Sequence, residues 1–471
     1  MNFSDSLDKY TIFNKVAKAA EKINVPVYVV GGFVRDLMLN RISKDIDFVC
    51  VGSGLELAKE VASVLNENSV TYFKKYGTAA IRYQGWDFEF VGARKESYSQ
   101  DSRNPVVEDG SLKDDQLRRD FTINALAISL NKDDFGVLID PFNGLKDLKR
   151  KILRTPQNPD ITFSDDPLRM MRAIRFATQL GFDIEPDTFD AIVRNADRLK
   201  IVSQERITDE LNKIILSPIP SYGFKLLLPA GLLKLFFPEL LDLQGVETID
   251  DKSHKDNFYH TLKVLDNVSV ISDFLWLRWA AIMHDIAKPK TKRFDPKRGW
   301  TFHGHEDKGA KMVPVIFRRL KLPLDNKMQF VKKIVRLHLR PISLVKDEIT
   351  DSAIRRLLFE AGDDVDKLML LCRADITSKN NVRVKRYLAN FDRVEKKLKE
   401  VEEKDKIRNF QPPLTGDAII KALNIKPSKV VGEIKEEIKE AILDGKIRNT
   451  REEAYSLMID IAKRMDILKM E

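Results

Sequence analysis

Two cysteines in 471 residues, Cys50 and Cys372, are too few for a disulfide framework, and neither has a second cysteine at metal-ligand spacing. Both are expected to be buried, inert thiols in a reducing compartment. Long apolar runs are also missing. Nothing in the chain approaches the roughly 20 consecutive apolar residues of a membrane helix, so no membrane partner is expected. The opening MNFSDSLDKY lacks the basic-then-apolar order of a secretory signal, which makes a cytoplasmic protein the expectation. There is no internal repeat and no low-complexity tract.

What is present is the profile of a soluble globular protein, with 43% hydrophobic and 32% charged residues in a chain long enough for about three domains. Lysine and arginine number 80 against 71 acidic residues, a net charge of +9 that suits a polyanionic partner such as nucleic acid. Roughly the first third reads as mixed α/β. VPVYVV and DIDFVCV are short β-branched runs, GSGLELAKEVASVLNE repeats its apolar residues at helical spacing, and TAAIRYQGWDFEFV reads as a hairpin turning at Gln84-Gly85. From Ser164 onward helix follows helix: DDPLRMMRAIRFATQLGF stops at a glycine and SQERITDELNKIIL starts at a serine cap. From near Asn380 lysine and glutamate recur at helical spacing, as on solvated helix faces. The fold class read from this order is α+β.

One short stretch concentrates chemistry. In a strand Asp45 and Asp47 project to one face, about 6 to 7 Å apart at Cα. They repel each other unless a cation lies between them, and hard divalent ions prefer oxygen ligands. Glu89, on a neighbouring strand, is a candidate third ligand. Gly31 and Gly32 stand between a strand and the helical pattern FVRDLML, where a glycine turn exposes N–H groups to a phosphate and Arg35 adds charge one turn later. Taken singly, a D-x-D is ordinarily surface charge and a Gly-Gly an ordinary turn.

GGFVRDLMLNRISKDIDF (31–48) resembles the first signature of class II tRNA nucleotidyltransferases and bacterial poly(A) polymerases, within the polymerase β-like nucleotidyltransferase superfamily. RRDFTINALA (118–127) is similar to the ribose-binding segment, DDPLRMMRAIRFA (165–177) to the helix that templates the base, and SQERITDELNKIIL (203–216) to the next neck helix. The resemblance implies a head with a small mixed sheet (1–150), an all-helical neck (151–248), an HD body (249–380) and a helical tRNA-binding tail (381–471). It makes Asp45 and Asp47 Mg²⁺ ligands, with Gly31, Gly32 and Arg35 near the triphosphate. Arg119, Asp120 and Asn124 would then meet the sugar and phosphates, Asp120 by accepting from the ribose 2′-OH. Asp166 and Arg169, three apart on a helix, would offer acceptors and donors to the base edge, with Arg172 positioning the base and Arg175 extending the basic face. Without the resemblance, Asp-Pro-Leu-Arg reads as an N-cap and a surface ion pair, and FTINALA as an amphipathic helix. One departure is Asp165, where the family usually has Glu.

All six histidines fall between residues 254 and 338. The ordered set His260, His284, Asp285, His305 and Asp375 supplies the nitrogen and oxygen ligands of a divalent metal and resembles an HD phosphohydrolase domain, with His303 or His338 as further ligands. A purely structural, RNA-binding HD domain is the alternative.

The function implied is template-independent addition of CCA to the 3′ end of tRNA from CTP and ATP. Rivals within this chemistry are CC-only or A-only addition and poly(A) synthesis, the first two turning on the polar segment 93–110. A rival from another class is an HD hydrolase with an inactive head.

Overall fold

Strands β1 (Val27–Val30) and β2 (Asp45–Cys50) pair antiparallel in the middle of a seven-stranded sheet. The structure is a computed structural model and describes residues 1–467 apart from 44, 68, 75–76, 98–105, 251, 347–349, 379, 406–407 and 409–410. Two units are formed, Met1–Phe237 and Pro238–Glu471.

Up to residue 150 the further strands are β3 (Val70–Phe73), β4 (Thr78–Tyr83), β5 (Trp86–Gly92), β6 (Arg94–Ser97), β7 (Val106–Asp109), β8 (Ala127–Ser129) and β9 (Leu138–Ile139). The main sheet has the order β3-β4-β5-β2-β1-β8-β9, with β2 and β5 parallel and the other pairings antiparallel. Period-two alternation sorts its faces. Ile46, Phe48 and Cys50 of β2 and Phe88 and Phe90 of β5 bury one face together with helices Thr11–Lys22 and Gly54–Leu65. Phe48 and Phe90 stack there at 5.1 Å between ring centroids. A small cluster of Val30, Val49, Ala93 and Ala127 lies apart from that core, and Val49 shares its strand face with Asp45 and Asp47. The expected hairpin is present, with Tyr83 paired to Trp86 across Gln84-Gly85.

Three expectations are corrected here. FTINALA is not a helix: Thr122–Asn124 make one tight 3₁₀ turn and the chain enters β8 at Ala127. The segment 93–110 is not a simple loop, because its ends pair as β6 and β7, while 98–105 lie outside the described residues. Ser203 precedes helix Gln204–Ile215 without a side-chain cap; its carbonyl accepts from Arg206 N and Ile207 N instead.

Past the head sheet the chain is helical, interrupted by two-stranded ladders of two or three residues per strand, such as Arg293–Asp295 with Gly299–Thr301. Such ladders are too short to leave a periodic signal. Helix Leu168–Leu180 ends at Gly181 and buries Met170, Met171, Ala173, Ile174 and Ala177. In the second unit, helix Asn381–Asp405 buries Phe391, Val394, Leu398 and Val401, one narrow stripe on an otherwise charged rod. Cys50 and Cys372 are both buried, and burial pushes the Cys50 thiol up to about 12, as expected of inert residues.

Gly54 opens helix Gly54–Leu65 against β5, where an added Cβ would lie 2.7 Å from the backbone N of Gly92. Gly54→Ala must therefore displace backbone rather than a flexible side chain. It is expected to lower unfolding stability by about 1–3 kcal/mol, read from the denaturation midpoint; an unchanged midpoint would contradict the close approach.

Candidate functional site

All the head residues singled out in the sequence except Glu89 line one cleft of about 490 Å³ in the first unit. At one end is the Gly31-Gly32 turn. Gly31 has φ +76°, a conformation that strains other residues, and an added Cβ would lie 3.1 Å from Arg119 Nη1 and 3.2 Å from Asp47 Oδ2, so a side chain here would press on that guanidinium and that carboxylate. Asp45 stands opposite Asp87 and Asp47 opposite Glu89 in the β2–β5 register, which puts four carboxylates on one face. Burial pushes the Asp47 carboxyl up, Arg119 opposes this, and Asp45 adds to it. Glu89 is raised by burial and by Asp47. These oxygens are short of positive charge, and a hard divalent cation fits them. They are not drawn into a tight knot: among the described residues, three ligand atoms within 4.8 Å of one another occur only in the second unit.

Behind the turn runs a chain of buried polar contacts. Asp120 Oδ1 accepts from Phe121 N (2.9 Å) and Asn124 Nδ2 (3.0 Å), and Oδ2 from Arg172 Nε (2.8 Å) and Nη2 (2.6 Å). Asn124 Oδ1 in turn accepts from Arg35 Nη1 at 2.7 Å, and Arg35 gives its other edge to Asp36. The guanidiniums of Arg35, Arg172 and Arg175 lie over the Phe176 ring at 5.0, 5.3 and 3.8 Å. Asp120 was expected to accept from a ribose hydroxyl. Its roughly four lone-pair sites are already taken by protein donors, which gives it a holding role. Burial raises its carboxyl, but Arg172 and Asn124 bring it down to about 2. Arg172 likewise presents Nε and Nη2 to Asp120.

At the other end stand Asp166 and Arg169. They do not share a helix as the spacing predicted. Asp166 is extended (φ −134°, ψ 99°) at the corner between helices Pro159–Asp165 and Leu168–Leu180, because Pro167 disfavours helical backbone before it. Asp165, the departure from the family pattern, is the last residue of the earlier helix. Asp166 Oδ1 accepts from Leu168 N at 3.2 Å, but the N-cap position of the helix is Pro167 and Arg169 is buried, so an N-cap with a surface ion pair is not what forms. Arg169 is 8% exposed; its Nη2 donates to Arg118 O at 2.6 Å, and its Nη1 is buried with no hydrogen-bond partner. An orphan donor at a cleft wall is what recognition of a ligand acceptor requires.

In the second unit a different donor set converges. His284, His305 and His338 each place Nδ1 2.7 Å from a backbone carbonyl, of Ala281, Phe302 and Val335. A carbonyl only accepts, so in the neutral rings Nδ1 carries the proton and Nε2 turns a lone pair inward. The Nε2 atoms of His305 and His338 face each other at 3.3 Å. Asp285 lies 3.3 Å from the Nε2 of both His284 and His305, and His260 Nε2 is 3.0 Å from Asp375. Lone pairs and carboxylates converging in this way fit a divalent cation. Burial lowers the His284 imidazole, but Asp285 lifts it to about 9; burial and His284 take His338 down to about 4. The five chosen residues are brought together with His338, while His303 is exposed on a turn outside the cluster. Lys288, which the sequence reading passed over, holds Asp285 at 2.6 Å. Asp285→Ala is expected to lower the divalent-metal content of the purified protein by more than about tenfold in elemental analysis. Retention of the metal would contradict the cluster as its seat.

Comparison with known proteins agrees with this geometry. The Poly A polymerase head domain family matches residues 27–154, the probable RNA and SrmB-binding site of polymerase A residues 181–243, and the HD domain residues 257–378. The multifunctional CCA protein of Shewanella frigidimarina is 32% identical over 77% of this chain and 86% of its own length. The A-adding tRNA nucleotidyltransferase of Deinococcus radiodurans is 34% identical over 73% and 78%. Among solved structures, the Thermotoga maritima CCA-adding enzyme bound to tRNA superposes with a TM-score of 0.61 over 98% of this chain and 99% of its own, at 23% identity, which establishes the shared fold. The chain belongs to the tRNA nucleotidyltransferase family of enzymes.

Proposed function

We propose that the chain builds or repairs the CCA end of tRNA, taking CTP and ATP as substrates, in the cytoplasm. The observation that carries this reading is the cleft itself: strand-borne Asp45 and Asp47 at one end, and Asp166 with the unpartnered Nη1 of Arg169 at the other. Seven arginines against five aspartates line it, an excess of positive charge suited to a triphosphate.

In this reading Asp45 and Asp47, with Glu89 beside them, hold Mg²⁺, which when bound lowers the pKa of the attacking 3′-hydroxyl and stabilises departing pyrophosphate. Gly31, Gly32, Arg35 and Arg119 seat the triphosphate, and the pairing edge of the base meets Asp166 and Arg169. Asp120 and Asn124 hold the arginines that frame the pocket. Residues 1–150 then carry the chemistry, 151–248 the base-reading helix, 249–380 a separate metal site formed by His260, His284, Asp285, His305 and Asp375, and 381–471 a basic surface for tRNA phosphates. A second reading, addition of the terminal A only, is favoured by the A-adding relatives.

Purified protein incubated with tRNA lacking CCA, CA or A, and with each labelled nucleotide singly and together, separates these readings. Stepwise addition that stops at CCA is expected. Incorporation of A only onto tRNA ending in CC would replace the first reading by the second, and unlimited A addition would overturn both. Asp45→Ala and Asp47→Ala are each expected to lower single-turnover incorporation by at least about two orders of magnitude without changing the thermal midpoint by more than a few degrees.

A further inference from the structure

Asp115 is fully buried, yet nothing in the chemistry above uses it. A carboxylate out of water stays ionised only where partners replace its hydration. Here both partners are neighbours in sequence. Asp115 Oδ1 accepts from Arg118 Nε at 3.0 Å and also from Arg118 Nη2, and Oδ2 accepts from Arg119 Nε at 3.1 Å and Nη2 at 2.9 Å. The short helix Leu112–Leu117, opened by a capping box between Ser111 and Asp114, sets the three- and four-residue spacing that makes this double clamp possible. Burial raises the Asp115 carboxyl, but Arg119 and Arg118 pull it below the ordinary range.

The clamp leaves Arg119 one uncommitted nitrogen. With Nε and Nη2 on Asp115, Nη1 lies beside the Gly31 turn and Asp47, at the metal end of the cleft. The same turn of chain supplies the Arg118 carbonyl that accepts from Arg169 at the base end. We propose that Asp115 is a positioning residue that aims Arg119 Nη1 at the triphosphate of the incoming nucleotide, an inference that rests on reading the cleft as a nucleotide site. Without the carboxylate, Arg119 keeps its charge but loses the contacts that fix its direction, and Asp47 and Asp120, the other carboxylates acting on it, compete for it.

Asp115→Asn preserves the shape and removes the charge. In calorimetric titrations it is expected to weaken CTP and ATP binding alike by about tenfold and to leave CMP binding unchanged, with KM rising more than kcat falls. A carboxylate that only stabilises the fold would lower the thermal midpoint without separating CTP from CMP, and that result would overturn the proposal. Arg119→Lys keeps a positive charge but cannot hold Asp115 side-on and still extend a further nitrogen. It is expected to show the same loss, so the idea stays testable if the Asp115 variant does not fold. Arg119→Ala separates the two levels. Loss of CTP affinity in Arg119→Ala, with wild-type affinity in Asp115→Asn and Arg119→Lys, would overturn the clamp alone; wild-type affinity in Arg119→Ala would remove the nucleotide reading beneath it.

Discussion

The Asp120 carboxylate is the interaction on which the cleft of the first unit depends. It joins the turn after Arg119 to helix Leu168–Leu180 through Arg172, and to the helix after Gly31-Gly32 through Asn124 and Arg35. Removing one partner of a charged pair leaves the other uncompensated, and Asp120, at 7% side-chain exposure, is the partner that would be left out of water. Arg35, Asn124 and Arg172 are therefore held through one carboxylate, which ties the geometry of the turn to that of helix Leu168–Leu180. Phe176 adds a second tie, since its ring is shared by Arg35, Arg172 and Arg175. Three guanidiniums around one ring repel one another, and Asp120 and Glu210, the latter paired with Arg175, offset that repulsion.

Much of this was legible in the sequence, and the reasons differ by residue. Asp45, Asp47 and Glu89 share a face because strand alternation is local and the β4–β5 hairpin announced itself at Gln84-Gly85. Gly31 could be marked from its place between strand and helix, although its steric necessity appears only when Arg119 and Asp47 are seen on either side. The pair Asp166 and Arg169 was found for an incomplete reason. Helical spacing suggested a shared face, whereas Pro167 breaks the helix between them and a corner brings both to the cleft wall.

What escaped the sequence were the residues that hold other residues. Asp115 reads as one acid in DDQLRRD, and only burial distinguishes it from Asp114, which caps the helix in solvent. Its spacing to Arg118 and Arg119 was a usable sign, since side chains three and four residues apart meet on a helix face. Asp120 was marked for contact with a ligand although its lone pairs belong to Asn124, Phe121 and Arg172. Sequence identifies which groups carry charge; it does not say whether a charge is already spent on a neighbour. His338 shows the same limit from the other side, because either His303 or His338 suited the pattern beside His260, His284 and His305, and only the inward turn of Nε2 separates His338 from the exposed His303.

The two candidate metal sites also differ in donor chemistry. The head offers only carboxylate oxygens, spaced along two strands with Asp45 and Asp47 open to the cleft, which suits a hard cation that keeps part of its water. The HD cluster offers imidazole nitrogens whose tautomers are pinned by the carbonyls of Ala281, Phe302 and Val335, with Asp285 held by Lys288. Pinned nitrogen ligands favour a borderline transition metal held firmly. A divalent ion abundant enough to serve the head is thus a poor competitor at the HD cluster.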